Sequence, residues 1–540
     1  MDETRVRLTL VFIWMLLVLP RCEASKDNCL NIVQYIYHSL GLRSRAQGTP
    51  NIAGEWTSSS CEVRPGPQFF TRYIKILQNS TWEGYFHRYN DSQCSEPKLS
   101  LYMRGFYKVM DEPLEFIKGS NKAFFNFSTI ELYPHNSYEQ EIAINTSTRH
   151  CRNTLKVVRT LDSTDVFAVD KRAFRRRACR SAFGFSESEF SGLKLETRRK
   201  KSSKYDKLYF GGVPTIRAPR KYKPRSYQLP LIKYNSHNCT KCMKIRLGTG
   251  ARPPKFVWKP PRLWRLEGEW ASTTCEASPG GAFLTRHFKF TSSQSSRRWE
   301  CHYYFYVDSE CKKRDFELNG KGHFSYATPS KKVNGAAEYV FTMTEAAIKP
   351  FDRITTRMLN TATPNTCGKT GTWKTNVKQD ITGTQGCKLY GISLPITEYD
   401  LLKMDTDHGD NRLLYVGQRA SDGSDPSSPS KRATSFQVPL IECSSYKFKF
   451  VPPTTRPTTR PTTRSGIVLS IRTLPTKIKK ITTRRRTDRD PGRKTTHSRS
   501  GNGSDANREN VGYLYRNSAA SLLSKLLLVL STVLVSTWID

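Results

Sequence analysis

Carboxylates are the scarce class in this 540-residue chain: 47 Asp and Glu stand against 87 Lys and Arg, a formal net charge of +40. An excess of that size excludes indifference to the charge of its partners and makes a polyanion one to consider. Catalytic signatures are missing as well. There is no G-x-S-x-G, no H-E-x-x-H and no paired-carboxylate pattern, and the ten histidines are scattered. The stretch Gly368-Lys369-Thr370 ends like a phosphate loop, but Thr363 stands where the opening glycine is required. The chain therefore reads as a binding protein with no cofactor and no metal, not as an enzyme. Long apolar runs are short too. Leu8 to Leu19 is too brief to span a bilayer comfortably, and LLSKLLLVLSTVLVSTWID (522–540) is interrupted by Lys525.

What is present begins with an export signal: two arginines, that apolar run, then Pro20 and a small-residue site that predicts cleavage after about Ala24. Export places the cysteines in an oxidising compartment, and loss of Cys22 with the leader leaves thirteen of the fourteen. Sequons at Asn79, Asn90, Asn126, Asn145 and Asn502 fit a secreted glycoprotein; a sixth, at Asn238, carries Cys239 in its middle position. No Lys or Arg follows Trp538, so the C-terminal run reads as a glycolipid-anchor signal or a short single span. Both readings tether the protein to the outer face of the plasma membrane.

The stretch GEWTSSSCEVRPGPQFFTR (54–72) returns as GEWASTTCEASPGGAFLTR (268–286) at a constant offset of 214, and SYQLPLI (226–232) returns as SFQVPLI (435–441). After a short insertion the offset becomes 217, which joins Trp82 to Trp299, Cys94 to Cys311 and Gly105 to Gly322. A period this long means a duplicated domain and not a solenoid. Inside each copy the apolar residues alternate, as on half-buried strands: Phe70, Ile74 and Ile76 with Arg72; Leu284, Phe288 and Phe290 with Arg286; Trp299, Cys301, Tyr303 and Phe305. The fold class that follows is all-β dominated. Two tandem antiparallel β-barrel-like domains, disulfide-bonded, carry few short helices and a disordered basic stalk. The expected boundaries are a signal peptide (1–24), an N-terminal helix segment (25–49), a first repeat (50–242), a linker (243–263), a second repeat (264–443), a Thr/Pro/Arg-rich stalk (444–516) and the anchor segment (517–540).

An arginine on an apolar strand face must find an anion or an acceptor. Arg72 and Arg286 therefore read either as partners of a neighbouring carboxylate (Glu55 or Glu62; Glu269 or Glu276) or as polar contacts at the mouth of an apolar pocket. On the second reading Phe70, Ile74, Ile76, Leu284, Phe288, Phe290, Trp299, Tyr303 and Phe305 line that pocket. Repeat logic pairs Cys61 with Cys94, Cys275 with Cys311, Cys151 with Cys179 and Cys367 with Cys387. Cys29, Cys239, Cys242 and Cys443 remain for two further bridges, and Cys301 is left over as a buried thiol or an intermolecular partner. Basic loops at Arg175, Arg176 and Arg177 and at Arg198, Arg199, Lys200 and Lys201 face the outside of the cell, so their polyanion is a sulfated glycan or an anionic membrane and not nucleic acid.

The duplicated G-E-W, C-E-V-R-P-G-P-Q-F-F-T-R and C-E-A-S-P-G-G-A-F-L-T-R-H-F segments, with L-P-I-T-E-Y-D (394–400) and K-R-A-T-S-F-Q-V-P-L (431–440), resemble the adenomatosis polyposis coli down-regulated family of membrane-tethered Wnt antagonists. The resemblance covers about 29 to 443. It implies an extracellular glycoprotein that inhibits Wnt signalling by engaging the fatty-acyl lipid carried by the Wnt ligand, and its receptors. The chain departs from the family by one absent cysteine pair in the first repeat, by Cys301, and by its long basic stalk and Arg-rich loops.

Overall fold

The computed structural model describes residues 28–38 and 49–445, apart from short interruptions at 115–116, 118, 153–154, 160–164, 186, 201–202, 216–221, 235–238, 259–264, 294 and 408–409. The expected leader, stalk and C-terminal anchor lie outside the described residues. Among those residues no helix is long and apolar enough to cross a membrane.

Eight strands of the first repeat close into a ring: β1 (Gly54–Thr57), β2 (Gln68–Ile76), β3 (Thr81–Tyr89), β4 (Pro97–Pro113), β5 (Asn121–Phe125), β6 (Gly192–Lys200), β7 (Ser203–Phe210) and β8 (Leu231–Lys233). Each pairs antiparallel with the next, and β8 returns to β1 with Trp56 opposite Lys233. The second repeat builds the same ring from β9 (Gly268–Ser272), β10 (Phe283–Ser292), β11 (Arg297–Tyr306), β12 (Arg314–Phe324), β13 (Ala337–Pro350), β14 (Ile396–Thr406), β15 (Arg412–Val416) and β16 (Leu440–Glu442). Here β16 closes on β9, with Ala271 opposite Ile441. Closure removes the exposed strand edges that a flat sheet would leave. The repeated SYQLPLI and SFQVPLI motifs lead into the last strands of the two rings, and the repeated GEW motifs open the first.

Period-two alternation has its physical basis in this closure, because every second side chain points into the barrel. The bend of the wall explains a second repeated feature. A Cβ at Gly105 would lie 1.8 Å from the carbonyl oxygen of Asn126, and one at Gly322 would lie 1.8 Å from that of Thr342. Only glycine lets the neighbouring backbone come so close.

The helices fall in the connections between ring strands and before the first of them. The expected N-terminal helix is α1 (Asn28–His38). It lies against the second barrel, where Cys29, Ile32 and Val33 join a core with Ala271, Phe283 and Ile441. Cys29 is bonded to Cys443 across a separation of 414 residues, which clasps the two ends of the folded region together. In the first repeat, α2 (Ser137–His150) starts at Asn136, whose side chain accepts from the Glu139 amide, and α3 (Lys171–Phe174) and α4 (Arg177–Ala182) follow. Next come α5 (Thr240–Arg246) and α6 (Arg353–Asn360). The boundary placed at 242/243 falls inside α5. The proline-rich stretch beyond it is docked on the first barrel, with Tyr89 donating to the Pro254 carbonyl and the Phe256 amide to that of Cys94.

Candidate functional site

The two strand arginines resolve identically. In the first barrel Arg72 donates to both oxygens of Glu62 at 2.9 and 2.8 Å and to the Leu229 carbonyl at 3.0 Å. In the second, Arg286 donates to both oxygens of Glu276 at 3.1 and 2.7 Å and to the Val438 carbonyl at 3.0 Å. Ser58 and Ser272 complete each cluster, donating to the glutamate at 2.5 Å and accepting from the arginine amide. The guanidinium thus bolts the first strands of a barrel to the segment that leads into its last. Glu55 and Glu269 serve elsewhere, with Arg246 and with Lys289 and His287 respectively. Arg72 and Arg286, at 1% and 2% exposure, are closure elements and not pocket contacts.

Among the described residues, the core of the first barrel is tightly packed. Phe70, Ile74 and Ile76, expected as pocket lining, are buried to 0–1% exposure. The cause is the chain after Cys179, whose Phe183, Phe185 and Phe190 pack into the same core as Trp82, Phe86 and Leu101. Phe190 meets Trp82, Phe125 and Phe210 with ring centroids 6.1, 5.6 and 5.5 Å apart, and Phe185 meets Phe86 at 5.2 Å.

The second barrel differs at matched positions. Trp82, Phe86 and Leu101 are at most 1% exposed, whereas their counterparts Trp299, Tyr303 and Leu318 are only partly buried. Inward Arg88 is replaced by Phe305, also partly buried. The chain after Cys387 supplies Leu389, Tyr390 and Ile392 at the border of this core in place of the three phenylalanines. One wall is a run of near-parallel rings: Phe305 on Phe316 at 4.5 Å and Phe316 on Tyr390 at 4.3 Å. Of the remaining sequence candidates, Leu284, Phe288 and Phe290 are 9%, 5% and 3% exposed. They back the site without opening onto it.

Sequence reasoning missed the polar part of this interior. On β14, Ile396, Leu402 and Met404 pack with the barrel core while Leu401 faces outward into a cluster with Tyr415 and Phe436. The alternation therefore turns Glu398 and Asp400 inward. Arg419 donates to Glu398 at 2.7 Å and lies 3.6 Å from Asp425. Burial, opposed by Arg419 and reinforced by Glu398, pushes the Asp400 carboxyl up to about 6. The result is a partly buried aromatic face in the second barrel with a small acidic cluster beside it. Alternation of Ile396, Glu398, Asp400 and Leu402 was the available signal for it.

The six bridges are Cys61–Cys94, Cys275–Cys311, Cys151–Cys179, Cys367–Cys387, Cys239–Cys242 and Cys29–Cys443. Cys301 is free and buried. Its role is packing. It lies directly opposite Gly320 on the neighbouring strand, where the first barrel has Gly84 opposite Met103, so the bulk has moved from one strand to the other. A Cβ at Gly320 would lie 3.0 Å from the Cys301 sulfur. Burial raises its thiol pKa well above the usual range.

Arg175 and Arg176 are exposed between α3 and α4, with Arg175 donating to Asn126 Oδ1 at 3.1 Å. The backbones of Arg198, Arg199 and Lys200 end β6, while their side chains, that of Arg177, and Lys201 altogether lie outside the described residues. Asn79, Asn90 and Asn145 are exposed, Asn126 is half-buried, and Asn502 lies outside.

A family model described as adenomatosis polyposis coli down-regulated 1 matches the chain twice, over residues 28–257 and 255–447. The two matches coincide with the two barrels.

Proposed function

The chain belongs to the adenomatosis polyposis coli down-regulated 1 family, and from that premise we propose that it is an extracellular, membrane-tethered binding protein that lowers Wnt signalling. In this reading the second barrel takes up the acyl group carried by Wnt, and the first is a filled scaffold. The six disulfides agree with an oxidising, extracytoplasmic setting. The observation that carries the reading is the contrast at repeat-equivalent positions, with Trp299, Tyr303 and Phe305 accessible where Trp82 and Phe86 are sealed. A hydrocarbon chain gains about 0.8 kcal/mol per methylene removed from water, so even partial insertion holds a long chain.

The test is binding of a lipidated Wnt and of a fatty-acyl probe to the secreted ectodomain, alongside a β-catenin reporter. Replacing Tyr303 and Phe305 by aspartate should abolish probe binding and reporter inhibition. Replacing Phe70 should leave probe binding intact in whatever fraction folds. Absence of binding to both ligands sinks the proposal. A second reading, a sulfated-glycan or matrix adhesion protein, is favoured by exposed Arg175 and Arg176 beside α3 and by the net charge. Elution from heparin at physiological salt removes it.

A further inference from the structure

The acyl-uptake reading leaves the acidic cluster inside the second barrel without a role. Glu398 and Asp400 both face inward, yet a single guanidinium, Arg419, stands near them, and it is shared with Asp425. Arg286 lowers the Asp400 carboxyl pKa less than Arg419 does, and its own hydrogen bonds go to Glu276 and to the Val438 carbonyl. Lys431 at the same rim is exposed and donates to Ser427. The other titratable neighbours, Tyr303 and Cys301, are neutral, their pKa values raised by burial. An incompletely compensated negative charge is therefore fixed beside the partly buried aromatic side chains of the second barrel, where water screens it poorly.

We propose that Glu398 and Asp400 make the interior of the second barrel selective for hydrocarbon chains with uncharged head groups and turn away free fatty acid anions. The inference rests on the acyl-uptake reading and specifies its ligand class. A carboxylate head group within about 6 Å of Asp400 meets a repulsion worth roughly a hundredfold in affinity at an effective dielectric near 20. An ester or amide meets none, and its carbonyl can accept from Arg419. Specificity here comes from a repulsive element, as it commonly does where chain length alone discriminates weakly.

The experiment titrates the secreted, disulfide-bonded ectodomain with a 16-carbon fatty acid and with its methyl ester, both delivered from cyclodextrin, and reads tryptophan fluorescence. At pH 7.5 the ester should bind at least about tenfold more tightly than the acid. Asp400→Asn should raise affinity for the acid by a similar factor and leave the ester unmoved, and Asp400→Glu should keep the wild-type preference. In the wild type the acid should also gain as the pH falls to 5.5 and Asp400, pushed up to about 6, takes its proton. That part of the gain should be missing from Asp400→Asn, whose remaining pH response belongs to the ligand. Equal binding of acid and ester, or a preference that survives Asp400→Asn, overturns the inference and leaves acyl uptake standing. Failure of both ligands to bind at either pH overturns acyl uptake itself and the inference with it.

Discussion

Replacing Arg286 by methionine tests the account of barrel closure. The side chain is 2% exposed, and its loss leaves the carboxylate of Glu276, itself 6% exposed, with only the Ser272 hydroxyl as a partner. Removing one member of a buried ion pair costs about 3–5 kcal/mol, because the remaining charge stays buried and unpaired. The stranded Val438 carbonyl adds about 1 kcal/mol. At the usual sensitivity of domains of this size the midpoint of thermal unfolding should fall by about 8–24 °C. The double variant Arg286→Met with Glu276→Gln removes both charges and should recover most of the loss. Urea unfolding of the disulfide-intact ectodomain, followed by tryptophan fluorescence, measures the single variants, the double variant and the coupling between them. The Arg72 and Glu62 pair should behave alike in the first barrel. A single-variant cost below about 1 kcal/mol, or strict additivity in the double, would refute the reasoning.

Two further outcomes follow from buried groups. His87 sits fully buried with Nδ1 2.7 Å from Ser100 Oγ, and burial, aided by His135, pushes its pKa down to about 3. The folded state therefore refuses a proton that the unfolded chain takes up near pH 6.5. Stability from neutral His87 is complete above that pH and falls as the solution is acidified toward 3, by about 2 kcal/mol at pH 5. His87→Gln should flatten the slope of unfolding free energy between pH 7 and 5, and an unchanged slope counts against the assignment. Cys301, buried and unpaired, should resist thiol reagents in the native ectodomain and release one reactive thiol per chain in denaturant. Rapid native labelling would show that the second barrel admits solvent at that depth.

Much of the architecture is visible in the residues. Duplication, strand alternation and the spacing of repeated cysteines led to two barrels and to the bridges within each repeat, because all of these are local or periodic features. The departures lie where distant segments meet. Sequence left Arg72 and Arg286 between a carboxylate and a pocket mouth. Choosing Glu62 and Glu276 over Glu55 and Glu269 required the hairpin that carries each glutamate back over its own strand. Phe183, Phe185 and Phe190 occur in a stretch with no strand periodicity, so nothing local announces that they fill a barrel formed by other strands. The acidic cluster combines two inward positions of β14 with Arg419, which follows the next strand.

By itself the sequence determined that this chain folds twice in the same way around strands with one apolar face. Only the tertiary structure decided that matched inward positions are fully buried in the first barrel and partly buried in the second. Alternation records which side of a strand is buried, whereas the space left inside a closed sheet depends on how many side chains from elsewhere in the chain are packed into it.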